Sequence, residues 1–311
     1  MERVVLACDI GGSHISSALV GVESGTVVQR SRAARAVDSA QGAEHILEVW
    51  AQALQDSLTA LGKHELAGLG CAMPSPFDYR QGLGAPSTGR KYESLEGVKV
   101  GDALRSALNV DPGLSVRFIN DATAFAVGEA WRGATAPYRR SVALTLGTGL
   151  GSAFIHNGVP VLEGAVVPPQ GCLWHLPCHH GLADDFFSTR GFVAEYAAVS
   201  GQTVSGVRAL ADRAREGDDS AVVAFRRRGK QLGEFVGPWL KGFGAESLVV
   251  GGNIAKAYTL WGPAMEHALE ASDFAVDVRF STLHEDAAVV GAARLLDEQF
   301  WQSIEHLIEL M

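Results

Sequence analysis

Two segments of this chain share one plan, in which an apolar strand runs into a glycine corner and a second apolar strand follows. The first corner is D-I-G-G-S at residues 9–13, and the second is L-G-T-G-L-G at residues 146–151. Glycine lets backbone N–H groups approach a ligand because no Cβ is in the way, and successive N–H groups form an anion site. The repeat therefore predicts two related half-folds, each with a hairpin able to contact a polyphosphate.

A third glycine turn ends another apolar run. It has the sequence V-V-G-G-N-I-A at residues 249–255 and opens a helix, whose dipole could favour a phosphate or whose first turn could pack on adenosine. None of the three turns matches the G-x-x-x-x-G-K-[ST] loop, and none is a dinucleotide loop opening the first helix. A tight turn without a ligand is the alternative for each one alone, but three at strand ends favour nucleotide binding.

Short β-branched runs alternate with longer amphipathic stretches along the chain. Alternation of this kind predicts an α/β fold, with sheets covered by helices. The predicted strands are 4–8, 15–20, 26–32, 66–72, 116–119, 141–146, 151–156, 247–250 and 276–280, and the predicted helices are 43–61, 101–108, 122–131, 191–199, 207–216, 220–242 and 287–308. A turn-forming tripeptide, Asp111-Pro112-Gly113, predicts the boundary between two domains.

Composition excludes several classes of protein. The chain has 311 residues, 47% of them apolar, which excludes a disordered chain. Its formal charge of −9 argues against nucleic-acid or anionic-membrane partners. No apolar run approaches the roughly 20 residues of a membrane helix, and we expect no signal peptide at the start, because its apolar stretch is short and Asp9 interrupts it. The four cysteines are no disulfide framework, so we expect a cytoplasmic protein.

Two carboxylates follow strands and are candidates for chemistry. Asp9 ends the first strand beside the first glycine corner, where it could hold Mg²⁺ directly or through water; the alternative is a turn cap. Asn120 and Asp121 follow the strand at 116–119. Asp121 could take the proton of a substrate hydroxyl, with Asn120 binding a neighbouring hydroxyl. The alternative is that Asp121 caps the next helix, and both roles can coexist.

Together these motifs resemble those of the ROK family of sugar kinases and repressors, in the actin-like ATPase superfamily. Residues 9–13 resemble its D-x-G-G-T motif, 119–124 its E-N-D-A-N-A motif, 146–151 its L-G-T-G-x-G motif and 249–255 its adenosine motif. The resemblance implies ATP and Mg²⁺ as cofactors and Asp121 as the catalytic base. It implies a set of nucleotide-binding residues: Asp9 (also near Mg²⁺), Gly11, Gly12, Ser13, Gly147, Thr148, Gly149, Gly251, Gly252 and Asn253.

The resemblance also implies an architecture of two actin-like (ribonuclease H-like) domains with an ATP–sugar cleft between them. The N-terminal domain is expected at 1–113, completed by a C-terminal helix at about 295–311, and the C-terminal domain at 114–294. Family repressors carry a helix-turn-helix segment before the first phosphate motif. Here the first strand begins at about Val4, which favours an enzyme. The family suggests a homodimer.

Substrate residues follow from the resemblance, with departures. Ser75 replaces a glycine in the substrate loop at 71–78, and residues 91–97 correspond to a loop that closes on the sugar. In the family's G-E-x-G-H motif this chain keeps His175 but has Cys172 for the glutamate. Asp184 stands where a sugar-binding carboxylate is expected. The alternatives are a structural histidine at 175 and a helix-start aspartate at 184. The expected sugar contacts are Ser75, Asn120, Asp121, His175 and Asp184.

Structural zinc is not expected, because the family's cysteine loop is missing after His175. Five N and S side chains remain nearby, namely Cys172, His175, Cys178, His179 and His180. The sequence as a whole predicts an ATP-dependent sugar kinase acting on a hydroxyl of a hexose such as glucose. A non-catalytic sugar sensor of the same fold, and a kinase for an amino sugar or another small polyol, are the alternatives.

Overall fold

The computed structural model describes residues 2–86, 92–272 and 274–311. The strands are β1 (Arg3–Ile10), β2 (His14–Gly21), β3 (Ala33–Ala36), β4 (Glu65–Met73), β5 (Phe77–Asp78), β6 (Leu83–Gly84), β7 (Val116–Asn120), β8 (Arg140–Leu146), β9 (Leu150–His156), β10 (Val159–Pro160), β11 (Pro177–Cys178), β12 (Gly181–Leu182), β13 (Ser247–Gly251) and β14 (Asp277–Phe280). The α-helices are α1 (Ala43–Leu58), α2 (Val100–Leu108), α3 (Asp121–Arg132), α4 (Ala183–Phe187), α5 (Thr189–Ser200), α6 (Val207–Arg215), α7 (Asp219–Phe243), α8 (Tyr258–Glu270), α9 (Ala287–Arg294) and α10 (Glu298–Ile304).

The chain forms two compact units. The first comprises Met1–Gly133, Gly158–Pro160 and Glu285–Met311, and the second comprises Ala134–Asn157 and Val161–His284. The first unit therefore extends beyond the expected boundary at residue 113, because β7 pairs with β4 and α3 follows β7 directly. The C-terminal segment also joins the first unit earlier than expected, from Glu285 rather than from about 295.

A five-stranded sheet organises the first unit, in the order β3-β2-β1-β4-β7. β1 and β2 form the antiparallel hairpin around the first glycine corner, and β4 and β7 run parallel to β1. Helix α9 packs on α3 with backbone in contact with backbone. A Cβ on Gly291 would lie 1.8 Å from the Ala124 carbonyl oxygen, and one on Gly128 would lie 2.0 Å from that of Ala287. This crossing fixes the helix that begins with Asp121.

The second unit repeats the arrangement. Four of its strands are hydrogen-bonded in the order β9-β8-β13-β14, with an antiparallel β8–β9 hairpin and with β13 and β14 parallel to β8. Buried residues of this sheet, such as Leu144 and Phe154, join Phe225 of α7 and Trp261 of α8 in one core. The repeated half-fold predicted from the glycine corners and the α/β class predicted from the alternation of elements are both confirmed.

Several predicted elements were wrong. The run at 26–32 is no strand: Val27 makes an isolated bridge to Val20, and Arg30 has φ 64°, so the chain turns before β3. The single helix predicted at 287–308 is divided into α9, α10 and a 3-10 helix at Glu305–Leu310. The first break occurs because Asp297 accepts the N–H of Phe300 and caps α10. Helix α8, which contains Pro263, was not predicted.

No helix in the described ranges has the length and hydropathy that crossing a bilayer needs.

Candidate active site

Three parallel strands of the first unit end in one row. Asp9 of β1 is in register with Ala72 of β4, which in turn is in register with Ile119 of β7. Because the carboxyl ends of parallel strands meet at one edge of a sheet, ligands of α/β proteins bind there. This row places three features at the same edge: Asp9, the loop after β4 that is expected to bind substrate, and the Asn120–Asp121 pair.

Some backbone groups of the first glycine corner are already hydrogen-bonded within the protein. The Gly11 N–H donates to the His14 carbonyl at 2.9 Å, and the Ser13 carbonyl accepts the Val37 N–H at 3.0 Å. The corner's candidate donors to a phosphate are therefore the N–H groups of Gly12 and Ser13. Gly11 was expected among the phosphate contacts, but its N–H is already used within the turn.

Tyr92 holds the first corner from the side and was missed by the sequence analysis. Its hydroxyl donates to the Gly11 carbonyl, and its buried ring packs edge-on against Trp50 with centroids 5.1 Å apart. Burial raises the pKa of this phenol, and the nearby Asp9 carboxylate raises it further. Within the loop expected at 91–97, Lys91 lies outside the described residues. The phenol is a neutral donor at physiological pH.

Asn120, rather than Asp121, caps helix α3. The Asn120 Oδ1 accepts the Thr123 N–H at 3.1 Å, whereas Asp121 is the first helical residue. The alternative in which Asp121 is the cap is thus corrected. The half-buried Asp121 carboxylate accepts the Ala122 N–H at 2.8 Å and the Asn120 amide at 3.1 Å through Oδ1. Both bonds fix the orientation of the carboxylate.

Tyr79 connects the expected substrate loop to Asn120, and this role was not predicted from the sequence. Its buried hydroxyl donates to the Met73 carbonyl at 3.0 Å and lies 3.1 Å from the Ser75 Oγ. The Asn120 Nδ2 donates to both hydroxyls at 3.4 Å. The structure therefore brings Ser75, Asn120 and Asp121 together. The available signal was the position of Tyr79 directly after the substrate-loop motif.

The second glycine corner is built differently. The Gly147 N–H donates to the Gly149 carbonyl at 3.0 Å, so the candidate phosphate donors are the exposed Thr148 and Gly149. A Cβ on Gly252 would lie 2.4 Å from the Leu146 carbonyl oxygen, and Gly252 has φ +85°. Glycine is required there on both counts. Through this contact the turn of Gly251, Gly252 and Asn253 lies against the second corner.

The remaining expected sugar contacts lie in the second unit. His175 is half-buried with its ring 5.3 Å from that of Trp174, and the Cys172 Sγ lies 3.5 Å from the Gln170 carbonyl oxygen. The Asp184 carboxylate accepts the Leu150 N–H at 2.6 Å and forms an ion pair with Arg190. Asp184 therefore lies against the second glycine hairpin. Its role in sugar binding stays a prediction.

The first glycine corner offers one carboxylate that suits magnesium. Mg²⁺ binds through one or two carboxylates, phosphate oxygens and water, and the half-buried Asp9 at the first corner suits that arrangement. Within the described ranges, no group of three or more His, Cys, Asp and Glu side chains is placed to hold a metal. His179 and His180 form the tip of the β11–β12 hairpin, where their rings flank Phe186 at 5.3 and 5.1 Å.

Comparison with known sequences gives one family and several relatives. The model of the ROK family matches residues 5–299. The glucokinase of Thermotoga maritima is 27% identical over 321 residues, which cover 95% of this chain and 98% of that protein. The N-acetyl-D-glucosamine kinase of Haemophilus influenzae is 28% identical over 200 residues, covering 56% of this chain and 65% of that protein.

Solved structures share the fold. The ROK hexokinase of Thermus thermophilus superposes with a TM-score of 0.75 at 20% identity, covering 96% of this chain and 99% of that one. A ROK family glucokinase from Streptomyces griseus, solved with glucose and AMPPNP, gives a TM-score of 0.72 at 22% identity and covers 95% and 99% of the two chains. These matches show that the chain shares the fold of solved ROK family enzymes, as the resemblance implied.

Proposed function

Because this chain belongs to the ROK family, we propose that it is an ATP-dependent sugar kinase that transfers the γ-phosphoryl group of ATP to a hydroxyl of a hexose such as glucose. The observation that carries the proposal is the row of strand ends in the first unit. There the glycine corner beside Asp9 and the oriented carboxylate of Asp121 share one sheet edge. A phosphate site and a base at one edge are what phosphoryl transfer to an alcohol requires.

Each residue has a role in this proposal. Asp121 accepts the proton of the attacking hydroxyl, while Asn120 and Ser75 orient the sugar. Gly12, Ser13, Thr148 and Gly149 donate backbone N–H groups to phosphate oxygens. Together these residues position the sugar hydroxyl and the phosphate, since phosphoryl transfer depends mostly on alignment and charge stabilisation.

The magnesium ion and the other ligands complete the assignment. Mg²⁺ held near Asp9 would supply positive charge to the phosphate oxygens. His175 is proposed as a further sugar contact, and the turn at 251–253 as the adenosine contact. The cytoplasmic location and the homodimer stay predictions.

The identity of the sugar is the finer part of the proposal. Two observations favour glucose: the Thermotoga maritima relative is a glucokinase, and its match covers nearly the whole of both chains. An amino sugar is the second candidate, favoured by the Haemophilus influenzae relative. Cys172 bears on both candidates, because it stands where the family motif has a glutamate. A thiol cannot accept the charge-assisted hydrogen bonds that a carboxylate accepts from sugar hydroxyls, so the specificity can differ from that of a glutamate-containing site.

A coupled assay of ADP release tests the proposal, with hexoses, pentoses and amino sugars as acceptors and mass spectrometry of the products. We expect sugar-dependent ADP release that falls by about 10²–10⁴ in Asp121→Asn, because the base is lost. Asp111→Asn is the matched control, since that carboxylate only closes a surface turn by accepting the Gly113 N–H at 2.9 Å. Wild-type rates in Asp121→Asn, or sugar binding without ADP release, would contradict the proposal, the latter favouring a sensor.

A further inference from the structure

Residues at the start of α4 and α5 form hydrogen bonds to the backbone of the second glycine hairpin. The Asp184 Oδ1 accepts the Leu150 N–H at 2.6 Å, and it lies 3.2 Å from where a Cβ on Gly149 would be. Thr189 donates to the Gly147 carbonyl twice, from its N–H at 2.8 Å and from its Oγ1 at 2.9 Å. Both ends of the corner are thus attached to one short segment.

These contacts determine what the corner presents to a ligand. The Gly147 carbonyl, which would repel a phosphate, accepts both hydrogen bonds from Thr189. The Leu150 N–H donates to Asp184. The groups left at the exposed tip are the N–H donors of Thr148 and Gly149. Arg190 pairs with the Asp184 carboxylate and offsets its negative charge, which would otherwise weaken an anion site next to it.

The same contacts occupy the carboxylate. One Asp184 oxygen accepts a main-chain N–H, the other forms the ion pair with Arg190, and the side chain is 18% exposed. Asp184 is also one methylene shorter than the glutamate of the family motif. A direct contact with a sugar hydroxyl would have to share oxygens that are already used.

We propose that Asp184 is a positioning residue for the ATP phosphates, which acts by holding the second glycine hairpin, and that it is not a sugar ligand. Thr189 is its partner in this role. The inference rests on the proposed function for the identity of the ligand, a magnesium-bound adenine nucleotide. It changes the expected consequence of losing Asp184 from weaker sugar binding to weaker nucleotide binding.

Two substitutions of Asp184 separate the roles. Asp184→Ala removes the acceptor for the Leu150 N–H, whereas Asp184→Asn keeps a carbonyl oxygen in the same place. Asp185→Ala is the matched control, because that neighbouring carboxylate also pairs with Arg190, at 3.3 Å, but accepts the Leu182 N–H instead. Three quantities are measured: the affinity for Mg²⁺–AMPPNP without sugar, the KM values for ATP and for sugar, and amide hydrogen exchange of peptides covering residues 147–151.

We expect Asp184→Ala to weaken AMPPNP binding roughly tenfold or more, to raise the KM for ATP and to speed exchange at Leu150, because a charge-assisted hydrogen bond is lost. Asp184→Asn should stay within about threefold of wild type, since a neutral acceptor remains. Asp185→Ala should match wild type in all three quantities. A raised sugar KM with unchanged AMPPNP affinity and exchange would overturn the inference.

Further outcomes are also decisive. If Asp184→Ala does not fold, Thr189→Val tests the same hairpin: weaker AMPPNP binding with an unchanged sugar KM supports the inference, and the reverse overturns it. If wild type releases no ADP with any sugar but binds AMPPNP in an Asp184-dependent way, the proposed function fails while this inference holds. Failure of wild type to bind AMPPNP overturns the inference.

Discussion

Substitution of Gly291 by alanine tests how the helix that carries Asp121 is held. A Cβ at Gly291 would lie 1.8 Å from the Ala124 carbonyl oxygen, whereas real Cβ contacts stay above 3.0 Å. The obstacle is backbone, so no side-chain rotation can relieve the overlap, and α3 must move away from α9 by more than an ångström. Ala124 is in the first turn of α3, so the movement reaches Asp121 directly.

The size of the effect follows from two opposing terms. Overpacking of this kind costs about 1–3 kcal/mol and sometimes more, and a backbone obstacle places Gly291→Ala at the upper end. Alanine regains up to about 1 kcal/mol of helix propensity. We therefore expect a net loss of about 2–3 kcal/mol in the free energy of unfolding, together with a lower kcat because the base is displaced.

Urea unfolding followed by circular dichroism measures the change. Gly242→Ala is the matched control, because that glycine also lies within a helix, α7, but a Cβ there meets nothing within 4 Å. It should gain about 0.5–1 kcal/mol. Equal stability of Gly291→Ala and wild type, with the control behaving as expected, would refute the close crossing of α3 and α9.

Two further outcomes follow from single hydroxyl and carboxylate contacts. Tyr92→Phe removes the hydroxyl that donates to the Gly11 carbonyl but keeps the ring. We therefore expect the KM for ATP, measured by steady-state kinetics, to rise severalfold while the stability stays unchanged. An effect confined to the sugar KM would contradict this. The hydrogen bond from Tyr196 and the N–H groups that begin α7 hold the pKa of Asp218 below its usual value, so its charge stabilises the fold above about pH 4 and this contribution is lost as the pH falls through the lowered pKa. Urea midpoints of wild type and Asp218→Asn should therefore differ at neutral pH and converge below about pH 4; a gap that widens on acidification would be inconsistent with that assignment.

Sequence pattern predicted the strands around the glycine corners well, because glycine and β-branched runs act locally. The run at 26–32 shows the limit of such patterns. Its β-branched residues favour a strand, yet Arg30 takes a left-handed conformation and the Ser31 Oγ donates to the Val28 carbonyl at 2.8 Å. The break near Asp297 was readable as a helix cap, but continuous apolar periodicity obscured it.

The sequence predicted the motifs of the candidate site but not the long-range hydrogen bonds that hold those motifs in place. Asn120 and Asp121 were found because a strand end followed by a helix start is a local pattern. Tyr92 and Gly11 are far apart in the chain, as are Asp184 and Leu150, and no local pattern encodes hydrogen bonds of that kind. They depend on the tertiary fold, which brings the segments together.

A crystal structure with Mg²⁺, AMPPNP and the preferred sugar tests the central claim most directly. The account predicts phosphate oxygens within hydrogen-bond distance of the N–H groups of Gly12 and Ser13 and of Thr148 and Gly149, with one sugar hydroxyl on the Asp121 carboxylate. A polyphosphate bound away from both glycine corners, or a sugar with no hydroxyl near Asp121, would contradict it.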